Sequence, residues 1–284
     1  IDFVSLPNFP LEFFNNFFER AHLKIVLTLN FVLYSEGMRS QFLEVRMSTI
    51  RDKIKFFFSF EPMTDLPYWL EQREEIYNSL THFIGALLCV PGFIFLMISA
   101  IRIGDISLII GHFVFGLSLN ILYWVSTIYH WIDPKKYPKY KLIARYGDHI
   151  SIYILIAGTY TPLTLVTLKG TTGYILLTVI WSIALIGTII KILHFDGFYT
   201  LALFFYIGMG WVVVFSMKDL IESFSQRGIY WLVSGGLFYT IGTYFFAKDE
   251  KIPYFHAVWH FYVLLGSICH YIVIYFYCWA DAHR

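Results

Sequence analysis

Long apolar segments, with charged residues only near their ends, follow one another along the chain after residue 78. A bilayer core about 30 Å thick needs roughly 20 apolar residues for one helical crossing, and each segment is about that long. Short polar loops separate the segments, which indicates antiparallel neighbours joined by tight turns. The pattern therefore predicts an all-α bundle of seven transmembrane helices. The predicted spans are residues 79–100, 105–130, 148–168, 172–193, 198–217, 229–247 and 256–279.

The composition supports a membrane location. Of the 284 residues, 57% are hydrophobic and 14% are charged, whereas a soluble domain carries about 25% charged residues. Too few polar side chains remain to cover a surface in water, so we expect an integral, multi-pass protein of the plasma or cytoplasmic membrane, with membrane lipids as partners. The formal net charge of +1 and the lack of a basic stripe exclude nucleic acid.

Basic residues near the predicted helix ends indicate the orientation, because cytoplasmic loops carry an excess of Lys and Arg. With the N-terminus inside, the inner loops and the N-terminal segment hold Arg46, Arg51, Lys53, Lys55, Arg73, Lys135, Lys136, Lys139, Lys141, Arg145, Lys191, Lys248 and Lys251. The outer loops and the C-terminal tail hold Arg102, Lys169, Lys218, Arg227 and Arg284. This imbalance predicts a cytoplasmic N-terminus and an external C-terminus.

The seven-helix unit is expected to occupy residues 66–284, and residues 1–65 form an unassigned extension. Its Phe-rich patches at residues 13–18 and 56–60, with Arg and Lys between them, fit an interfacial helix with buried aromatic side chains. A loosely ordered extension fits the same composition.

Ionisable side chains of the predicted spans converge on one membrane face. His130 ends the second span, Asp148 opens the third, and His256 and His260 open the seventh. Because successive helices run in opposite directions, these ends lie at the same face, which the orientation above makes cytoplasmic. Ionisable groups inside a membrane are costly and mark functional sites.

The spacing of these residues suits a metal ion. His256 and His260 are four residues apart, which places the two imidazoles on one helix face about 6 Å apart. His130 supplies a third imidazole, Asp148 a carboxylate, and Ser126 lies one turn before His130. Three histidines with one open position are typical of catalytic zinc, which suits imidazole ligands and acidifies a bound water.

Structural interpretations of the same residues remain open. Ser126 can bond back to a carbonyl of its own helix. Asp148 can pair with Arg145 or cap the third helix. Glu75 and Asn78 can cap the first helix. Three further histidines fit hydrogen-bonded core positions: His82, His112 and His270.

Four segments of the sequence resemble the hemolysin III proteins, a branch of the progestin and adipoQ receptor family that is related to alkaline ceramidases. They are EEIYNSLTH at 74–82, STIYH at 126–130, DHISIYILIAGTYTP at 148–162 and HAVWH at 256–260. The segments occur in the order found in the family, and the resemblance covers roughly residues 66–279.

This resemblance implies a seven-helix bundle with a zinc ion near the cytoplasmic face. Carried over residue by residue, it implies His130, His256 and His260 as zinc ligands. Asp148 would hold or activate the water at the zinc, and Ser126 would help to place that water.

Three functions are compatible with the sequence. The first is a zinc-dependent, ceramidase-like hydrolase of lipid amide bonds, with a lipid substrate or ligand between the helices. The second is a non-enzymatic sensor or receptor in which zinc ties three helices together. The resemblance implies a link to membrane-lipid homeostasis for either function. The third is a pore-forming cytolysin, which the absence of a continuous line of charged residues disfavours.

Overall fold

The computed structural model describes residues 68–193 and 199–282, and the predicted extension at residues 1–65 lies outside them. Every regular element in the described ranges is a helix, which confirms the all-α prediction. The helices are α1 (Tyr68–Ile103), α2 (Ile106–Trp131), α3 (Pro138–Pro162), α4 (Thr171–Leu193), α5 (Tyr199–Trp211), α6 (Met217–Ser223), α7 (Gln226–Phe246), α8 (Phe255–Ile272) and α9 (Cys278–Ala282). Irregular helical segments continue three of them: the π-helical Leu163–Thr167 and Val273–Tyr277 after α3 and α8, and the 3-10 segment Val212–Ser216 after α5.

Six helical stretches in the described ranges are long and apolar enough to cross a membrane. They are Leu70–Ile103, Ile106–Trp131, Pro138–Thr167, Thr171–Leu193, Ala202–Ser223 and Phe255–Ala280. The predicted span at 229–247 corresponds to α7, whose glycine, threonine and tyrosine residues lower its mean hydropathy. The seven-span count and the orientation of the termini therefore remain predictions.

Two helices begin well before the predicted spans. α1 starts at Tyr68 and α3 at Pro138, because helix formation continues through polar residues that an apolar pattern does not count. Proline is favoured in the first helical turn, where its missing N–H costs nothing. Asp148 and Glu75 consequently lie inside α3 and α1, so neither caps a helix.

The bundle is built around α3. Within the most apolar window of each span, 72% of the α3 residues are buried, against 22% for α1 and for the α5–α6 stretch. Buried α3 side chains such as Tyr153 and Ala157 form one core with residues of α4, α5, α6 and α7. The outer face of α1 instead exposes Ile84, Leu87 and Leu88, as expected for contact with lipid tails.

Close packing of α2 on α3 depends on Gly111. A Cβ atom at this position would lie 2.8 Å from the Cα atom of Pro162. We expect Gly111→Ala to cost about 1–3 kcal/mol of stability through overpacking, measured as a lower midpoint of thermal unfolding in detergent. Gly208→Ala is the control, because nothing lies within 4 Å of a Cβ there. Equal midpoints for the two variants would contradict this packing.

Candidate metal centre

The start of α8 is held by the first turns of α1. Tyr254, just before α8, has a left-handed backbone with φ of 66°, a conformation that costs a non-glycine residue about 1–2 kcal/mol. Its N–H donates a hydrogen bond to the Glu74 carboxylate, and its ring meets Tyr77 edge-on with centroids 5.4 Å apart. These contacts fix the turn from which His256 and His260 project.

Three imidazoles meet where α2 ends and α8 begins. The ring centroids of His130 lie 4.9 Å from His256 and 5.0 Å from His260, and those of His256 and His260 are 4.5 Å apart. One ring nitrogen from each histidine lies within 4.8 Å of the other two. In the described ranges this is the group of His, Cys, Asp and Glu residues that can hold a metal ion.

Each of the three imidazoles donates its Nδ1–H to an oxygen acceptor. His130 bonds the Glu75 carboxylate at 2.9 Å, and His256 bonds the Asp249 carboxylate at 2.6 Å. His260 bonds the Asn78 carbonyl at 3.0 Å. A neutral imidazole that donates from Nδ1 keeps its lone pair on Nε2, and outer hydrogen bonds of this kind orient metal-bound histidines.

The residues present fit a metal ion. The Nε2 atoms of His130 and His256 are buried and have no hydrogen-bond partner among the described residues, an arrangement that is costly unless a ligand is bound there. Nitrogens bound to one zinc at about 2.0–2.1 Å lie at most about 4 Å apart. Small ring rotations therefore suffice to bring the three nitrogens onto one ion.

The surrounding charge also suits a cation. The carboxylates of Asp249, Asp148 and Glu75 all act electrostatically on His256. Glu75 also accepts a hydrogen bond from the Lys141 ammonium at 3.0 Å, which holds the carboxylate in place as a charged acceptor for His130. The histidines thus sit in a net negative environment that would stabilise a divalent ion.

Asp148 and Ser126 lie near this group without joining it. The Asp148 carboxylate is buried and acts on both His130 and His256, but it is not a member of the three-histidine set. The described residues show no ion pair between Asp148 and Arg145. Ser126 Oγ is fully buried with no partner in the described chain, so it does not bond back to its own helix. Neither structural interpretation of these two residues holds.

His82 differs from its predicted core role. Its ring stacks on that of His260, with centroids 3.5 Å apart and planes 15° apart. Neither ring nitrogen has a hydrogen-bond partner in the described part of the chain, because α1 presents the face of the ring rather than its edge to α8. His112 and His270 are hydrogen-bonded as predicted, to the carbonyls of Leu96 and Leu232.

Sequence reasoning missed the outer contacts of the site. In the sequence Glu75 and Asn78 fit helix caps, and nothing there connects Asp249 with a histidine, whereas the structure bonds all three residues to the histidines. The spacing of Glu75 and Asn78 does contain information, because residues three apart on a helix lie on the same face and can contact the same neighbouring group. Asp249 carried no such signal, because it reaches His256 only through the turn between α7 and α8.

A cavity lies inside the helix bundle, and none of the three histidines of the candidate metal centre lines it. Its unfilled volume is about 730 Å³, including the open side, and residues of α2, α3, α5, α7 and α8 line it. Trp259, next to His260 in sequence, lies at one end, and His270 lies further along α8. The wall therefore follows α8 for about 16 Å. Most of its lining is aliphatic or aromatic, so the cavity suits an apolar ligand.

Comparison with known proteins covers the whole site. Residues 70–271 match the model of a family described as Haemolysin-III related. The chain is 44% identical over 206 residues to a hemolysin-3 homolog of Bacillus subtilis. The aligned region covers 72% of this chain and 95% of that protein. It is 40% identical over 217 residues to hemolysin-3 of Bacillus cereus, with 76% and 96% covered.

A more distant similarity extends to animals. The chain is 32% identical over 169 residues to the human monocyte to macrophage differentiation factor, covering 58% of this chain and 68% of that protein. No solved structure matches this chain significantly. Together these similarities confirm the resemblance seen in the four sequence segments.

Proposed function

Because the chain belongs to the haemolysin-III related family and is an integral multi-pass membrane protein, we propose that it is a zinc-dependent hydrolase of lipid amide bonds. The observation that carries this proposal is the three-histidine group, in which every Nδ1 donates to an oxygen and the Nε2 atoms of His130 and His256 have no hydrogen-bond partner among the described residues. Three imidazoles leave a fourth position for water or substrate, as in catalytic zinc sites.

The proposal includes seven crossings with the N-terminus in the cytoplasm. If each of the six apolar helices crosses once, Ser223 lies at the face opposite His130, whereas His256 lies beside His130. The chain must then return along α7, whose 21 residues extend about 31 Å. The excess of Lys and Arg at the face of the histidines supports a cytoplasmic site.

Zinc held by His130, His256 and His260 would supply a Lewis acid that polarises a carbonyl and acidifies water. The carboxylate of Asp148, which forms no ion pair with another described residue, is available to accept a proton from the attacking water as a general base. Ser126, whose hydroxyl has no hydrogen-bond partner among the described residues, can both donate and accept a hydrogen bond and so position that water. Burial of both groups keeps competing solvent away.

The cavity supports a lipid substrate. Its apolar lining suits an acyl chain, and its end at Trp259 would place the first carbons of that chain beside the histidines. An amide bond between a headgroup and an acyl chain lies at this depth in a bilayer, near the face to which α2 and α8 bring the site.

Fatty-acid release tests the hydrolase directly. Purified, zinc-loaded protein is incubated with ceramide-type N-acyl lipids in mixed micelles, beside an Asp148→Ala variant. We expect the parent protein to release fatty acid and the variant to remain at background. Equal release from the two proteins, or none from the parent, would end the hydrolase proposal.

Filling the cavity should change the chain-length preference. Gly236 lines the cavity, and a Cβ there would lie 3.9 Å from the Trp211 ring. We expect Gly236→Leu to lower hydrolysis of long-chain substrates about 10-fold or more relative to short-chain ones, as typical for a pocket that rejects added methylenes. Gly208→Leu is the control, since Gly208 does not line the cavity. An unchanged preference would place the acyl chain elsewhere.

A non-enzymatic sensor is the second candidate, and the contacts between helices favour it. Metal binding would join α2 to α8, and both are already bonded to α1 through Glu75 and Asn78. In this case His256→Ala should strongly lower thermal stability, while Asp148→Asn leaves the cellular phenotype intact. Loss of that phenotype in Asp148→Asn would exclude a purely structural zinc.

A further inference from the structure

The segment joining α2 to α3 forms a basic surface at the face of the histidines. Within residues 134–145 the sequence contains five basic side chains and no acidic one. The basic residues are Lys135, Lys136, Lys139, Lys141 and Arg145. Lys135, Lys136 and Lys139 are exposed, and these three define what we call the lysine surface.

The acidic residue that precedes these lysines in the sequence, Asp133, is hydrogen-bonded to the backbone. One carboxylate oxygen of Asp133 accepts hydrogen bonds from the N–H groups of Lys135 and Lys136, at 2.8 and 3.4 Å. This carboxylate shapes the turn. The three exposed lysines outnumber this single carboxylate, so the segment keeps a net positive charge.

Neighbouring side chains place the lysine surface at the headgroup level of a bilayer. Tyr137 and Tyr140 are 40% and 48% exposed, and Leu142 and Ile143 are 51% and 59% exposed. Tyrosine is enriched at the boundary between membrane and water. The exposed aliphatic pair lies one turn further into α3, where lipid tails would cover it.

From these observations we propose that the lysine surface binds the phosphate groups of anionic phospholipids in the surrounding bilayer. Clusters of basic residues beside a membrane span recognise such headgroups. Each lysine should favour an anionic over a zwitterionic lipid by about fivefold, so three give about 100-fold. This binding does not depend on hydrolysis and goes beyond the function proposed above.

The lysine surface is joined to the metal centre by Lys141, two residues after Lys139. The Lys141 ammonium turns inward, donates to Glu75 and to the Tyr129 carbonyl at 3.0 and 2.8 Å, and lies 4.1 Å from the centroid of the Tyr129 ring. Lys141, which holds Glu75, is therefore only about 3 Å of helix rise beyond Lys139.

Lipid retention in nanodiscs tests the proposal. The full chain is reconstituted in phosphatidylcholine with a minor fraction of phosphatidylglycerol, and retained lipids are counted by native mass spectrometry. We expect about 100-fold preference for phosphatidylglycerol, lost in Lys135→Gln/Lys136→Gln/Lys139→Gln. The single variant Lys139→Gln should lose about fivefold, which keeps the test valid if the triple variant folds poorly.

Two controls separate the alternatives. Lys218→Gln/Arg227→Gln removes two exposed basic residues outside the lysine surface and should keep the preference. Inorganic phosphate at millimolar concentration should not displace the lipid. Retention of the preference in the triple variant, an equal loss in the control variant, or displacement by phosphate would each overturn a lipid-headgroup site on this surface.

Discussion

Asp148→Asn is expected to lower the rate of lipid-amide hydrolysis by about 10²–10⁴-fold, the contribution typical of a general base. The carboxylate is buried near the three histidines, acts electrostatically on His130 and His256, and pairs with no arginine among the described residues. Asparagine keeps the size of the side chain but cannot accept the proton. Initial rates of fatty-acid release from an N-acyl lipid measure the effect.

Metal content must be measured on the same Asp148→Asn sample. Asp148 lies outside the three-histidine set, so the variant should retain metal near the parent level. Asp219→Asn, in α6 and away from the site, is the matched control and should keep full activity. A variant that retains both metal and activity would exclude Asp148 as the base, and one that loses metal would make Asp148 a ligand.

Glu75→Gln is expected to weaken zinc binding about 10–100-fold, the usual effect of losing an outer partner of a metal-bound histidine. Glu75 accepts hydrogen bonds from His130 Nδ1 and Lys141 Nζ. A neutral amide leaves the ammonium of Lys141 without its counter-charge. The amide also no longer favours the orientation of the His130 ring in which Nε2 faces the metal position. Competition with a zinc-binding dye gives the dissociation constant.

Glu71→Gln provides the comparison for this result. Glu71 is exposed on the same helix, one turn before Glu75, so the substitution removes equal charge without touching a histidine. The two variants should differ in zinc affinity by the full 10–100-fold. Equal zinc affinities would show that Glu75 does not orient the His130 ring. The hydrogen bond between His130 and Glu75 at 2.9 Å would then have no role in metal binding.

The positions of the metal-ligand candidates were accessible from sequence because they depend on two simple regularities. The apolar pattern places the end of one span and the start of another at the same face, and a four-residue spacing puts His256 and His260 on one side of a helix. The structure brings both next to His130. An apolar pattern does not reveal helical turns that consist of polar residues. For this reason the predicted spans begin at residues 79 and 148, whereas α1 and α3 begin at Tyr68 and Pro138.

The contacts that surround the three histidines could not be predicted from the sequence, for a different reason. Asp249 reaches His256 through a turn that contains Tyr254 in a left-handed conformation, and no propensity rule predicts that conformation for tyrosine. The stacking of His82 on His260 depends on the rotation of α1 about its axis. Helix rotation is set by packing over the whole length of α1, so it cannot be deduced from one short motif.

Metal analysis of the purified protein tests the central claim most directly. Inductively coupled plasma mass spectrometry is applied to the parent chain and to a His256→Ala/His260→Ala variant, both folded in detergent. If the proposed function is correct, we expect about one zinc per parent chain and almost none in the variant, because one remaining imidazole cannot hold the ion. Absence of zinc from folded parent protein, or equal zinc in both samples, would contradict a metal centre at these histidines.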